Sequence, residues 1–165
     1  MRSIVLIAHN IRSTHNVGSL LRTAEGLGIR EVFLTGYTPY PKSENDARLP
    51  HLAQKLHRQI HKTALGAEDH VQWKHAEDIF EVLISLKTTG FTVAAVEQAA
   101  NSTALQTFMV PEKIALLVGR EVEGIEPAVL EKVDHILEIP MSGHKESLNV
   151  AQAAAMALYH CSFAP

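Results

Sequence analysis

At 165 residues with 46 % hydrophobic content, the chain fits one globular domain with a real core and is too apolar for a disordered segment. No apolar run approaches the roughly 20 residues of a membrane span, and the single cysteine, Cys161, excludes an intrachain disulfide and fits a reducing cytoplasm. A net charge of −3 excludes a chain that binds polyanions through bulk charge, although Arg48, Lys55, Arg58 and Lys62, with His51, His57 and His61, fall in an acid-free stretch between Asp46 and Glu68.

In chain order, residues 4–8 form a short apolar run that His9, Asn10 and Arg12 interrupt too early for a secretory signal, so a first strand is expected. Val17, Leu20, Leu21, Ala24 and Leu27 repeat at helical spacing, with Asn16 as the expected N-cap and Gly28 as the stop. Residues 31–35 read as a second strand, 36–50 as a Pro-rich polar loop, and 51–63 as a helix. A short strand over 71–74 is followed by an amphipathic stripe of Ile79, Val82, Leu83 and Leu86 that ends at Gly90. Residues 91–96 and 114–118 are strong β runs, Pro127 suits the first turn of a short helix, and 136–139 is a last strand. A helix from Ser147 to about His160 closes the chain.

This alternation predicts an α/β domain, residues 1–165, with a mainly parallel sheet flanked by helices. The near-continuous apolar strands agree, because parallel sheets are buried on both faces. The last helix is apolar almost all round, with only Asn149 and Gln152 breaking its first turns. Such a helix needs burial on several sides, either at a subunit interface or as a central core helix of one monomer.

No Gly-x-Gly-x-x-Gly follows the first strand, and there is no Walker A sequence and no Gly-x-Ser-x-Gly elbow. His57 and His61 are four apart, but no Glu follows His57 and no Cys or Asp cluster supports them, so no metal is expected. Three segments are polar where a structural element should be plain. The first runs from Asn10 to Arg22 at the end of the first strand, where ligands bind in open parallel sheets. Its Arg22 stays protonated and suits a phosphate or a developing oxyanion. The second is Leu116-Leu117-Val118-Gly119-Arg120-Glu121-Val122-Glu123-Gly124-Ile125, where Gly119 admits a close ligand and Glu121 can order the loop. The third is Ile139-Pro140-Met141-Ser142-Gly143-His144-Lys145-Glu146-Ser147-Leu148-Asn149-Val150, a polar loop that runs into a helix N-terminus. Ser147 is a natural N-cap there, and Asn149 is an amide that needs partners in a buried setting.

Together, Asn16-Val17-Gly18 leading to Arg22, the run Val118 to Ile125, and Ile139-Pro140-Met141 followed by Glu146-Ser147-Leu148-Asn149-Val150-Ala151 resemble the motifs of the SPOUT superfamily of RNA methyltransferases, in its TrmH/SpoU branch. The resemblance covers essentially the whole chain. It implies a C-terminal deep trefoil knot, which breaks the general rule against knots. It also implies a homodimer and S-adenosyl-L-methionine as cofactor, held by Val96, Gly119, Glu121, Ile139, Met141, Ser147 and Leu148. The implied reaction is methyl transfer to a ribose 2′-hydroxyl of tRNA or rRNA, with Arg22, Asn16 and Asn149 as the motif residues of the reaction and Arg22 facing a cofactor held mainly by the other subunit. A separate RNA-binding domain is not expected, so Arg12, His15, Lys55 and Arg58 are the expected RNA contacts. Two rivals keep the fold: methylation of an RNA base, and a non-catalytic RNA-binding protein.

Overall fold

The computed structural model describes residues 2–165. Seven parallel strands form one sheet: β1 (Ser3–His9), β2 (Glu31–Thr35), β3 (Trp73–Ala76), β4 (Thr92–Val96), β5 (Thr103–Ala104), β6 (Lys113–Val118) and β7 (His135–Glu138). Their order across the sheet is β3-β2-β1-β6-β4-β7-β5. Thus β6 enters between β1 and β4, and β7 between β4 and β5. The helices are α1 (Thr14–Gly26), α2 (Pro50–Ala64), α3 (Ile79–Thr88), α4 (Pro127–Leu130) and α5 (Val150–Phe163).

The period of two on each strand divides the core into two layers. Leu6, Leu116 and Ala94 face one side, packed with Leu20 and Leu21 of α1, Ile60 of α2 and Leu158 of α5. Val5, Ile7 and Leu117 face the other, packed with Ile79 and Leu83 of α3 and Val129 of α4. Burial on both faces is what the continuous apolar strands require. Among the described residues, no helix is long and apolar enough to cross a membrane.

Three local expectations are corrected. Ser13, not Asn16, caps α1: its hydroxyl accepts from Asn16 N at 3.2 Å, so the helix starts three residues earlier and the Asn16 amide is left for another use. Asn149, not Ser147, caps α5, accepting from Ala151 N at 2.9 Å, so the helix starts at Val150. Strand β3 lies two residues later than expected, and the two-residue β5 is too short to show any period.

The last helix also differs. Ala154, Ala157, Leu158 and Cys161 make one buried stripe, while Met156 (47 % exposed), Tyr159 (61 %) and Phe163 (63 %) stand open on the opposite face. One chain therefore buries only half of its apolar girth, and a central core helix of a monomer is ruled out.

Gly18 explains itself by packing. A Cβ there would overlap Thr63 Oγ1 and Ile60 O and lie 2.9 Å from Ala64 N, all on α2. The Thr63 hydroxyl meanwhile donates to His15 O at 2.8 Å, closing the same helix pair. Gly18→Ala is expected to cost about 1–3 kcal/mol of stability through overpacking against backbone. A thermal midpoint equal to wild type would refute that packing role.

Candidate functional site

The loops that follow β1, β4, β6 and β7 converge at the C-terminal edge of the sheet, the usual ligand position in an open parallel fold. A cleft lies there, walled by Val96, Glu97 and Gln98 after β4, by residues 118–122 and Gly124 after β6, by Ile139, Met141, Ser147 and Leu148 after β7, and by Val150 and Ala153 of α5. All seven residues expected to hold a cofactor, Val96, Gly119, Glu121, Ile139, Met141, Ser147 and Leu148, line this one cleft.

The floor is set by Gly119. A Cβ there would overlap Ile125 Cγ1 and press on Ile125 N at 3.1 Å and Gly124 C at 3.2 Å, so only glycine keeps this turn closed. Glu97, unnoticed in the sequence, locks the same turn: its Oε2 accepts from Ile125 N at 3.1 Å. Gln98 donates from Nε2 to Glu146 O at 2.9 Å, tying the loop after β4 to the loop after β7. None of the backbone N–H groups of residues 141–148 donates to another backbone group or to a side chain of the described residues. Free backbone donors beside apolar walls suit a ligand with a flat apolar body and hydrogen-bonding edges.

Glu121 joins the three motif segments. Its Oε1 accepts from Ser13 N at 3.2 Å and Asn16 Nδ2 at 3.1 Å, and its Oε2 from Arg12 N at 3.3 Å. Asn16 Oδ1 then accepts from Asn149 Nδ2 at 3.1 Å. This is the use that removed Asn16 from helix capping. Burial would raise the pKa of Glu121, but the Asn16 amide and the backbone N–H groups of Glu121, Ser13 and Arg12 outweigh it and hold the carboxyl below its ordinary range.

Behind the cleft, β1 ends in a polar cluster that the sequence did not announce. Buried His9 places Nδ1 2.9 Å from Thr35 Oγ1 and Nε2 3.1 Å from Asn10 Nδ2. Asn10, at φ +54°, donates to Glu126 Oε1 at 2.8 Å. Glu126 Oε2 is buried 3.3 Å from His9 Nε2, without a hydrogen-bond partner among the described residues. Burial lowers the His9 pKa despite Glu126, and Arg120 adds to the lowering. Glu126 is itself held low: burial is outweighed by backbone and Asn10 hydrogen bonds and by nearby His9 and Arg120.

His9 unfolds to a pKa of 6.5, so its contribution is full above that value and is lost as pH falls from 6.5 through the lower folded pKa. Glu126 acts above 4.5 and is lost as pH falls through its own depressed value. Melting curves from neutral to acid should therefore show stability falling first over the His9 window, and His9→Gln should remove that first step. A wild-type midpoint that rises between neutrality and pH 4.5 would contradict it.

The other expected residues lie apart. Arg22 is exposed on α1, does not line the cleft, and makes no hydrogen bond or ion pair with the described residues. It sits about 9 Å along the helix from Asn16. The structure thus brings Asn16 and Asn149 together and leaves Arg22 outside. Arg12 and His15 are exposed at the start of α1, and Lys55 and Arg58 on α2. His61 Nδ1 pairs with Glu68, and the described residues hold no cluster of three or more His, Cys, Asp or Glu fit for a metal. Burial pushes the Cys161 thiol up to about 11, so it packs as an apolar side chain rather than acting as a nucleophile.

The SpoU rRNA Methylase family matches residues 3–159. A Staphylococcus aureus (strain MSSA476) protein named a TrmH family tRNA/rRNA methyltransferase is 32 % identical over 157 residues, 95 % of this chain and 57 % of that protein. The chain therefore spans little more than half of that relative. Among solved structures, an AdoMet-bound rRNA methyltransferase from Sinorhizobium meliloti superposes with a TM-score of 0.79 at 21 % identity, covering 96 % of this chain and 55 % of that one. A structure described as giving insight into 2-OH methylation of C/U34 on tRNA superposes with a TM-score of 0.74 at 25 % identity, covering 97 % of this chain and 94 % of that one.

Proposed function

Because the chain belongs to the SpoU rRNA methylase family, we propose that it is an S-adenosylmethionine-dependent methyltransferase acting on a ribose 2′-hydroxyl of tRNA or rRNA. The observation that carries this reading is the cleft, where residues from distant segments meet around the Glu121–Asn16–Asn149 chain.

The residues fit the cofactor. Val96, Ile139 and Leu148 offer apolar walls for the adenine, and the free N–H groups of residues 141–148 match its edges. Gly119 lets the ligand approach the backbone, and the carboxylates of Glu97 and Glu121 favour its cationic end. When bound, it supplies a methyl group activated on a sulfonium. This chain's part is to exclude water, to orient the ribose, and to stabilise oxygen as the hydroxyl loses its proton. Arg22 is assigned the last role, or a grip on the adjoining phosphate, since a guanidinium keeps its charge. Ribose rather than base is favoured by the relative described for 2-OH methylation.

The molecule acts as a homodimer in this reading. Arg22 does not line its own cleft, and the open Met156, Tyr159 and Phe163 face of α5 needs cover. A deep trefoil knot is part of it too: β7 lies between β4 and β5, and Gln98 holds Glu146, so the segment before α5 runs against the loop after β4. The test is transfer of labelled methyl from S-adenosylmethionine to RNA lacking the modification, then nuclease digestion and mass spectrometry. A nuclease-resistant 2′-O-methylated dinucleotide is expected. A methylated base would overturn the ribose assignment, and absence of cofactor binding by calorimetry would overturn the enzyme.

A further inference from the structure

A second groove lies beside the cleft, linked to it through Glu121. It lies between the N-terminal turn of α1, the loop over residues 36–49 and one face of α2, and Arg12, His15, Tyr37, Tyr40, Gln59 and His75 line it. Glu121 lines the cleft on one side and holds the backbone N–H groups of Arg12 and Ser13, which line the groove, on the other. A ligand in the groove thus ends one hydrogen bond away from the cleft.

The groove's aromatic groups do different jobs. Tyr40 is sandwiched, with the Arg48 guanidinium 3.5 Å from its ring centre and the His75 ring stacked at 4.1 Å. Arg48 is fully committed to structure: it donates to Asp46 at 2.8 Å and to the carbonyls of Tyr40 at 2.9 Å and Pro41 at 2.8 Å. His75 Nε2 is engaged with Gly36 O at 3.0 Å. These residues make the loop rigid and leave nothing for a ligand.

Tyr37 is the opposite. Its backbone is pinned, with N–H donated to Asn10 Oδ1 at 3.1 Å, yet the residue is 52 % exposed and no ring or cation of the described residues stacks on it. Beside it stands Arg12, whose side chain is 68 % exposed and whose pKa is raised first by the Tyr37 hydroxyl and then by Glu123. Its rim pair with Glu123, at 3.3 Å, is of the weak exposed kind that a phosphate displaces. Lys55, Arg58 and Lys62 of neighbouring α2 add charge without one acidic residue on that helix.

We infer that this groove is a subsite for one unpaired nucleotide of the RNA substrate, its base stacked on Tyr37 and its phosphate held by Arg12, next to the ribose presented at the cleft. The inference deepens the methyltransferase reading and rests on it. A fixed, open aromatic face in a concavity takes a base only when that base is splayed from its helix, so the ligand is single-stranded rather than duplex RNA.

Fluorescence anisotropy with a labelled mixed-sequence RNA, about a dozen nucleotides long, compared with the same strand annealed to its complement, tests this. Tyr37→Ala is expected to weaken single-strand binding about tenfold or more, from the loss of one stacked base, whereas Tyr37→Phe binds as wild type does. Arg12→Ala should weaken binding and reduce the salt slope by about one phosphate contact. The duplex should bind more weakly than the single strand. Equal affinity of Tyr37→Ala and wild type, a preference for the duplex, or no single-strand binding by wild type would each overturn the subsite. Calorimetric titration of S-adenosylmethionine into the same samples separates the two readings: its failure removes the methyltransferase, while the RNA titration alone judges the groove.

Discussion

Arg22→Ala is expected to lower methyl transfer to RNA by about a hundredfold or more, the usual cost of removing a charged donor aimed at a developing oxyanion. Cofactor affinity and the thermal midpoint should stay at their wild-type values. Arg22 is exposed, touches no partner among the described residues and does not line the cleft, so its removal disturbs neither packing nor the cofactor walls. Arg22→Lys keeps the charge but loses the planar fork, and is expected to recover only part of the rate. The exposed position also makes the dimer testable. Arg22→Ala chains mixed with chains carrying a blocked cleft, such as Gly119→Val, should regain turnover if Arg22 serves the neighbouring chain, because a mixed dimer then holds one complete site. Wild-type turnover in Arg22→Ala would end its role in the reaction. Failure of the mixture to recover would return Arg22 to its own chain's cleft.

Much of the site was legible because its residues violate local expectation. Asn16, Glu121 and Asn149 are polar where strands and buried helices should be plain, and those positions proved to be joined by hydrogen bonds. The α/β class followed from near-continuous apolar strand runs alternating with segments of helical period such as α1 and α3. Cap assignment failed for a definite reason. Ser13 and Asn16, or Ser147 and Asn149, are equally able caps, and the choice is made by tertiary contacts: Asn149 Nδ2 claims the Asn16 Oδ1 that a cap would need, and Ser147 is kept in the cleft wall. The placement of β6 and β7 inside the sheet depends on pairings far apart in sequence, which no local period encodes. His9 read as a strand breaker, but it is buried inside β1 because Thr35, Asn10 and Glu126 surround it. Tyr37 lay in a loop notable only for its prolines, and its exposure appears only once Arg48 and His75 are seen to occupy Tyr40.

Glu121→Gln is the other substitution expected to act strongly, on the cofactor as well as on stability. The carboxylate receives three N–H groups and sends none back. Glutamine offers one oxygen and an NH2 group, so at least one donor among Arg12 N, Ser13 N and Asn16 Nδ2 would face another donor. An unsatisfied group of this kind costs about 1–3 kcal/mol, more where a charged acceptor is lost. The damage would not stay local. Asn16 is also the acceptor for Asn149 Nδ2, so the start of α5 and the cleft wall at Ser147 and Leu148 lose their tether. Cofactor affinity should fall about tenfold, equivalent to about 1.4 kcal/mol. The pH response gives a second signature. Glu121 is held below its unfolded value of 4.5, so it stabilises the fold above that pH, and its contribution is lost as pH falls through the depressed folded pKa. Glu121→Gln should therefore lose part of the acid limb of the melting profile, leaving the His9 window in place. If the variant binds S-adenosylmethionine as wild type does and melts with an unaltered acid limb, the chain from Glu121 through Asn16 to Asn149 is ornamental, and the cleft is held by Gly119 and Glu97 alone.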